Sequence, residues 1–243
     1  VFHRYILGVY DLYERLIEKY PEILFESCAG GGARFDPGLL YYAPQTWTSD
    51  DTDAVERLKI QYGTSMVYPL SSIGSHVSAV PNHQVGRMTS IDTRANVAYF
   101  GTFGYELDIT KLSDGEKEKV KEQVSFFKEK RDLIRSGAFY RLLSPFESNE
   151  VSWMVVSQNK SEAIVGYYKV LAKPNDKYYR IKLKGLDADK LYEIEGMDTR
   201  HYGDELMNIG IILNENYTDR ANEYWAREHP HDYYSRLFVI KEV

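Results

Sequence analysis

Ile23-Leu24-Phe25-Glu26-Ser27-Cys28-Ala29-Gly30-Gly31-Gly32-Ala33-Arg34-Phe35-Asp36 is the stretch on which the fold turns. A short apolar run predicts a strand over Ile23–Phe25, which empties into polar residues and a glycine-rich turn. Upstream, Ile6, Val9, Tyr10, Tyr13, Leu16, Ile17 and Tyr20 recur at helical spacing up to Pro21. Downstream come a helical stretch near Leu39 to Tyr42, a second strand-like piece ending at Trp47-Thr48, and a charged loop. Thr52 to Thr64 reads as another helix with Ala54, Val55, Leu58 and Tyr62 on one side, followed by a Ser/Gly/His loop from Ser71 to His83. Ser90 to Tyr99 predicts one more helix, and Ser113-Asp114-Gly115-Glu116 is a capping box opening a long charged helix to about Arg135. Strand and helix in alternation, with polar residues just after each strand, is the pattern of a (β/α) barrel. Whole barrels need about 250 residues, so this segment accounts for the last few units only.

The period changes near residue 137. From there Val151–Val156, Ala163–Val170, Tyr178–Leu183, Leu191–Ile194 and Leu237–Ile240 read as short strands, separated by turn signals such as Pro174-Asn175-Asp176 and Gly185. Strands at this spacing predict a small antiparallel β-sandwich. The expected fold is therefore α/β plus all-β: the C-terminal part of a (β/α)8 TIM barrel over residues 1–137, then a β-sandwich domain over 138–243.

Composition narrows the function classes. Hydrophobic residues make up 43% of the 243, enough for a real core, and no run of about 18 apolar residues occurs to span a membrane. The formal net charge is −6 and no Lys/Arg stripe stands out, which argues against nucleic acid as a partner. The single cysteine, Cys28, cannot form an internal disulfide and fits a reducing, cytoplasmic setting. The six histidines show no H-x-x-x-H or Cys-paired spacing, so neither a metal nor another cofactor is expected. Two N-x-[ST] sequons, at Asn159 and Asn216, carry no weight at their chance frequency. The 21 tyrosines suit sheet formation and sugar stacking, and taken alone they favour the sheet. Val1-Phe2-His3-Arg4-Tyr5-Ile6 resembles the interior of an amphipathic helix, without an initiator Met, and suggests a chain cut from something longer.

Two segments hold the chemistry. Gly30, Gly31 and Gly32 leave backbone N–H groups unshielded, either for a ligand or simply as a flexible turn; no Gly-Lys-Ser/Thr follows, so this is not a phosphate loop. Trp47-Thr48-Ser49-Asp50-Asp51-Thr52-Asp53 places three carboxylates at a helix entry, where one or two serve as caps. Trp47 beside Asp50 is also how an enzyme sets an aromatic face next to a proton donor of raised pKa. On the residues alone, Glu26 is a candidate nucleophile as a carboxylate at a strand end.

These segments resemble those of family 36 glycoside hydrolases, the α-galactosidases. Glu26 to Asp36 is similar to that family's E-S-C-(A/S)-G-G-G-x-R-F-D, and Trp47 to Arg57 to its W-(T/C)-S-D-(D/N)-T-D-A-x-x-R. Tyr41–Gln45, Tyr62–Ser65, Gly74–Ser78, Pro81–His83 and Met88–Arg94 fit in the same order. The resemblance implies that Asp50 is the catalytic acid/base, that Ser27, Cys28, Ala29 and Gly30 line the galactose subsite, and that Trp47 packs beside the sugar. Asp51, replaceable by Asn in the family, is the poorer proton donor, and Asp53 and Arg57 orient the loop by capping and ion pairing. The family nucleophile lies in a K-W-D-M-N segment that this sequence does not contain, which argues against Glu26. Retaining hydrolysis of terminal α-galactosides such as melibiose and raffinose is thus implied for a longer enzyme, with the missing N-terminal part as this chain's partner and a homo-oligomer, often a tetramer, as the family's assembly. The alternatives are an inactive carbohydrate-binding or interaction fragment, and an α-N-acetylgalactosaminidase or galactosyl-transferring relative.

Overall fold

Residues 1–30, 35–173, 179–213 and 232–243 are described by a computed structural model of the chain. The glycine turn at 31–34, the turn predicted at Pro174–Asp176 and the sequon at Asn216 lie outside these residues. Helix α1 (Phe2–Lys19) stops where Pro21 cannot continue it, and Tyr10 and Tyr13 pack on Tyr42 and Phe25. Strand β1 is Glu26–Cys28, so the strand expected over Ile23–Phe25 starts three residues later. The register explains the shift. Glu26 pairs with Gln45, which sets Phe25 opposite Pro44, a residue with no N–H to give the ladder.

Helix α2 (Pro37–Tyr42), strand β2 (Gln45–Trp47) and helix α3 (Ala54–Thr64) follow. Each helix opens on an aspartate: Asp36 accepts from the N–H groups of Gly38 and Leu39, and Asp53 from that of Glu56. Strand β3 (Gly74–Ser78) runs through the expected Ser71–His83 loop. Its polar sequence hid it; the Ser75 hydroxyl is buried and donates to Gln61 Oε1 of α3 at 2.9 Å, so the strand needs few apolar side chains. Helix α4 (Ile91–Ala98) is capped by Ser90, strand β4 is Thr102–Glu106, and helix α5 (Asp114–Ser136) opens on the Ser113/Glu116 capping box. β1 pairs with β2 and β3 with β4, all parallel, and Thr46 bridges to Ile73 at the foot of β3. Four strands thus lie side by side in sequence order, with helices between them.

Beyond Gly137 the sheet is antiparallel. Strands β5 (Ala138–Leu143), β6 (Glu150–Val156), β7 (Glu162–Lys169), β9 (Leu191–Ile194), β10 (Arg200–Tyr202) and β12 (Tyr234–Glu242) form one sheet in the order β10-β9-β12-β7-β6-β5. β8 (Tyr179–Ile181) and β11 (Ile211–Leu213), with helix α6 (Gly203–Asn208) between β10 and β11, make a second, two-stranded sheet. β6 is buried along its whole length because it has two covered faces. Val151, Trp153 and Val155 join Tyr99, Phe100 and Ile134 of the helical layer, while Met154 and Val156 meet Ile181, Leu183, Ile211 and Leu213 of the small sheet. Fully buried side chains of this size stabilise by roughly 1.5–3 kcal/mol each, so the junction between helical layer and sheet is a core in its own right. Among the described residues no helix is long and apolar enough to cross a membrane.

Candidate active site

Alternation along the four parallel strands sorts their side chains onto two faces. Ser27, Thr46, Ser75 and Val77 turn toward the helices and are buried. Glu26, Cys28, Trp47, His76 and Glu106 stand on the other face, where together with Tyr105 they border a cavity of about 310 Å³. Register partners Cys28 and Trp47 sit side by side, and the Trp47 ring stacks on His76 with centroids 4.5 Å apart and 19° between planes. His76 Nδ1 is 3.7 Å from Glu106 Oε2. His76 had no role assigned from the sequence. The signal that could have found it is the alternation in Gly74-Ser75-His76-Val77-Ser78, which puts one ring on the face opposite Ser75 and Val77.

Glu26 stands at the start of its strand, not at its C-terminal end. It opens β1, level with Gln45, whose side-chain amide donates to its Oε2 at 2.9 Å. At about 3.3 Å per residue, that is two residues, or about 7 Å, below the strand end at Cys28 and Trp47. The Glu26 carboxylate is thus tied to Gln45 on the wall of the same cavity that Cys28 and Trp47 border.

Just past the strand ends, the three acids of Asp50-Asp51-Thr52-Asp53 part company. Asp51 Oδ1 accepts from the Asp53 N–H at 3.0 Å, and Ser49 Oγ from the Asp51 N–H at 3.1 Å, so Asp51 belongs to the turn. Asp53 is 2% exposed, caps α3 and pairs with the Arg87 guanidinium. Burial pushes its pKa up, against the Glu56 N–H and the Arg87 charge, which hold it down. Asp50 is exposed, and among the described residues no hydrogen-bond donor reaches its carboxylate. It lies directly on Gly30: a Cβ built on that glycine would fall 2.3 Å from the carboxyl carbon. The two segments that sequence reading singled out therefore meet, and they meet at Asp50 and Gly30.

Arg57 holds the strand end beneath them. Buried at 2% exposure, it donates to the carbonyls of Gly74 at 2.6 Å and Ser49 at 3.3 Å and to Thr48 Oγ1 at 3.5 Å, with its guanidinium carbon 4.5 Å from the Trp47 ring centroid. Burial pulls its pKa down to about 10, partly offset by Asp51 and Glu106, so it is charged at neutral pH. The expected orienting role is there, but through backbone carbonyls and an aromatic face; the ion pair of Asp53 goes to Arg87.

The remaining expected residues divide. Ala29 follows the strand, its N–H donating to Trp47 O at 2.9 Å, and Cys28 is half-buried on the cavity face. The Ser27 side chain is on the opposite, buried face and does not border the cavity. An exposed carboxyl group over a glycine backbone, beside a cavity walled by a thiol and an indole, can transfer a proton to an oxygen held against that backbone.

Residues 1–137 match the family described as Melibiase, and residues 150–240 that described as Glycosyl hydrolase family 36 C-terminal domain. Alpha-galactosidase AgaA of Geobacillus stearothermophilus is 58% identical over 223 residues, which are 92% of this chain and 30% of AgaA. The crystal structure of an AgaA variant in complex with raffinose superimposes with a TM-score of 0.89 at 54% identity, over 99% of this chain and 32% of that one. The alpha-galactosidase from Lactobacillus brevis gives 0.90 at 51% identity, over 99% and 32%. The chain thus spans about a third of the length of these relatives.

Proposed function

The chain belongs to the melibiase family, glycoside hydrolase family 36, and from that premise we propose that it forms the acid/base side of the active centre of a longer, retaining α-galactosidase. In this reading the four parallel strands are an arc of a (β/α)8 barrel spanning residues 1–137, and the two antiparallel sheets of residues 138–243 are the faces of a β-sandwich against it. The substrates are terminal α-galactosides of the raffinose type, the sugar that the AgaA variant binds in its crystal structure.

The observation that carries the proposal is the placement of Asp50 on Gly30 at the mouth beyond Cys28 and Trp47. A galactosyl unit seated against the Cys28–Gly30 backbone presents its glycosidic oxygen to the Asp50 carboxyl group. Protonated, Asp50 gives its proton to the departing oxygen while a second carboxylate, about 5–5.5 Å away, attacks the anomeric carbon. That second group comes from a part of the enzyme outside this sequence, as the resemblance to the family implies, since the family's K-W-D-M-N segment does not occur here. Ionised after the transfer, Asp50 then takes a proton from the water that hydrolyses the galactosyl-enzyme.

The experiment is Asp50→Ala in the full-length enzyme. Raffinose hydrolysis should fall by roughly 10²–10⁴-fold, whereas a dinitrophenyl α-galactoside, whose leaving group needs no proton, should still galactosylate the enzyme. Azide should restore turnover of that substrate, because it attacks without a general base. Raffinose turnover at the wild-type rate would refute the assignment.

A further inference from the structure

Resting on the reading of Asp50 as acid/base, we infer that Arg87 and Tyr233 are positioning residues: the C-terminal sheet holds the acid-bearing loop in place through Tyr233, Arg87 and Asp53. The contacts form one continuous series. Tyr233 immediately precedes β12 and has φ +62°, in the left-handed region that a tyrosine occupies only where its surroundings enforce it. Its N–H donates to Val170 O at 3.0 Å, and its carbonyl accepts from Thr93 Oγ1 of α4 at 2.8 Å. Held at both backbone groups, it presents its ring to the Arg87 guanidinium, whose carbon is 5.1 Å from the ring centroid. Arg87 pairs with Asp53 through Oδ2, the same oxygen that caps α3 by accepting from the Glu56 N–H at 3.0 Å.

Arg87 itself sits at the end of a closed turn. The Asn82 N–H donates to Arg87 O at 2.9 Å, and the Gly86 N–H to Asn82 O at 2.8 Å. From that turn the Asn82 amide donates to Thr52 Oγ1 at 3.1 Å, and Gln84 Oε1 accepts from the Thr52 N–H at 3.4 Å. Thr52 and Asp53 are therefore both gripped by one turn, two and three residues after Asp50. Asp50 needs a fixed height above Gly30, yet no described donor holds its carboxylate. Its position is set from behind, and the support ends in the C-terminal sheet. Rotamer and charge at Arg87 thus control proton transfer without touching the sugar.

The test uses the full-length enzyme and compares kcat/KM for raffinose, whose leaving group needs a proton, with kcat/KM for a dinitrophenyl α-galactoside, which needs none. Arg87→Met keeps the apolar stem against Tyr233 and removes the charge; Tyr233→Asn keeps a residue that tolerates positive φ and removes the ring. Both should lose about tenfold or more on raffinose, in line with the cost of a misplaced group, and less than about threefold on the activated substrate. Arg87→Lys should recover part of the loss. No loss, or equal losses on the two substrates, would overturn the inference, and should Arg87→Met fail to fold, Tyr233→Asn decides by the same criterion. Asp50→Ala measured alongside separates the two claims: if it leaves raffinose hydrolysis intact, the acid/base reading itself has failed, whereas an inactive Asp50→Ala with indifferent Arg87 and Tyr233 variants refutes only the support role.

Discussion

The Asp50 carboxyl group occupies the space where a side chain on Gly30 would begin, with the Cβ position 2.3 Å from its Cγ and Oδ1. Real atoms do not approach so closely, so any residue with a Cβ at position 30 must displace either the acid or the strand end. The requirement for glycine here is the close approach of a functional group to the main chain. Gly30→Ala in the full-length enzyme should therefore fold, bind galactose weakly, and lose about 10²-fold in raffinose hydrolysis, the order expected for moving a reacting group by about 1 Å. Initial rates with circular dichroism as the folding control measure it, and a Gly30→Ala enzyme with wild-type turnover would show that Asp50 is free to move.

Arg57 is a buried cation whose described partners are two carbonyls, a hydroxyl and an indole face, with no carboxylate in salt-bridge range among the described residues. Replacing it by Met fills much of the volume but leaves the Gly74 and Ser49 carbonyls without a donor. A buried polar group left unpaired costs about 1–3 kcal/mol, so a loss of about 2–6 kcal/mol for the two carbonyls is expected in thermal or urea unfolding. Arg57→Lys should restore the short contact to Gly74 without the fork that also reaches Ser49 and Thr48, and so recover only part of the stability.

What sequence reading captured and what it missed follow from the range of the signals. The cap at Ser113 was legible because it is satisfied within three residues of itself. The helices up to Ser136 were legible for the same reason, since period is a local property. Strand β3 was not, because Ser75 is buried only by virtue of Gln61, fourteen positions away, and of the partner β4. Strands β5, β10 and β11 likewise depend on neighbours that no local pattern announces.

At the site, composition could not distinguish Asp50 from Asp51 and Asp53, because all three are good capping residues at a helix entry. The resemblance to family 36 selected Asp50, and the geometry supplies a physical reason: its two neighbours are committed to the turn and to the helix. The faces of β1 were beyond sequence reading too. Ser27 and Cys28 are adjacent in the chain and point in opposite directions, so of the two side chains only that of Cys28 borders the cavity.

Gly166 is a close-packed point between the helical layer and the antiparallel sheet. A Cβ there would fall 2.5 Å from the Tyr168 hydroxyl and 2.9 Å from the Phe100 ring, and across the ladder it faces Trp153. The Tyr168 hydroxyl donates to Asn96 O of α4 at 2.6 Å, so the ring cannot move aside without giving up that bond. Gly166→Ala should destabilise by about 1–3 kcal/mol through overpacking, read as a lower melting temperature, with little change in KM. An unchanged melting temperature would mean that the junction is loose enough to absorb a methyl group.

Asp53 gives a prediction with a definite sign in pH. Burial raises its pKa in the folded protein, with the Glu56 N–H and Arg87 acting against the rise and Asp51 and Glu56 charges adding to it. A folded state with the higher pKa binds the proton more readily than the unfolded chain, so its advantage is full below the ordinary carboxylate range and is lost as pH climbs through the raised value. Asn at position 53 keeps an N-cap and does not titrate. The melting temperature of the wild type relative to Asp53→Asn should therefore fall as pH rises from about 4 toward 7. Adding Arg87→Met removes a charge that lowers the pKa, so the decline should extend to higher pH. An advantage for the wild type that grew toward neutrality would instead mean that the Arg87 pair, more than burial, governs Asp53, and that the charge on the helix cap is what secures the loop carrying Asp50.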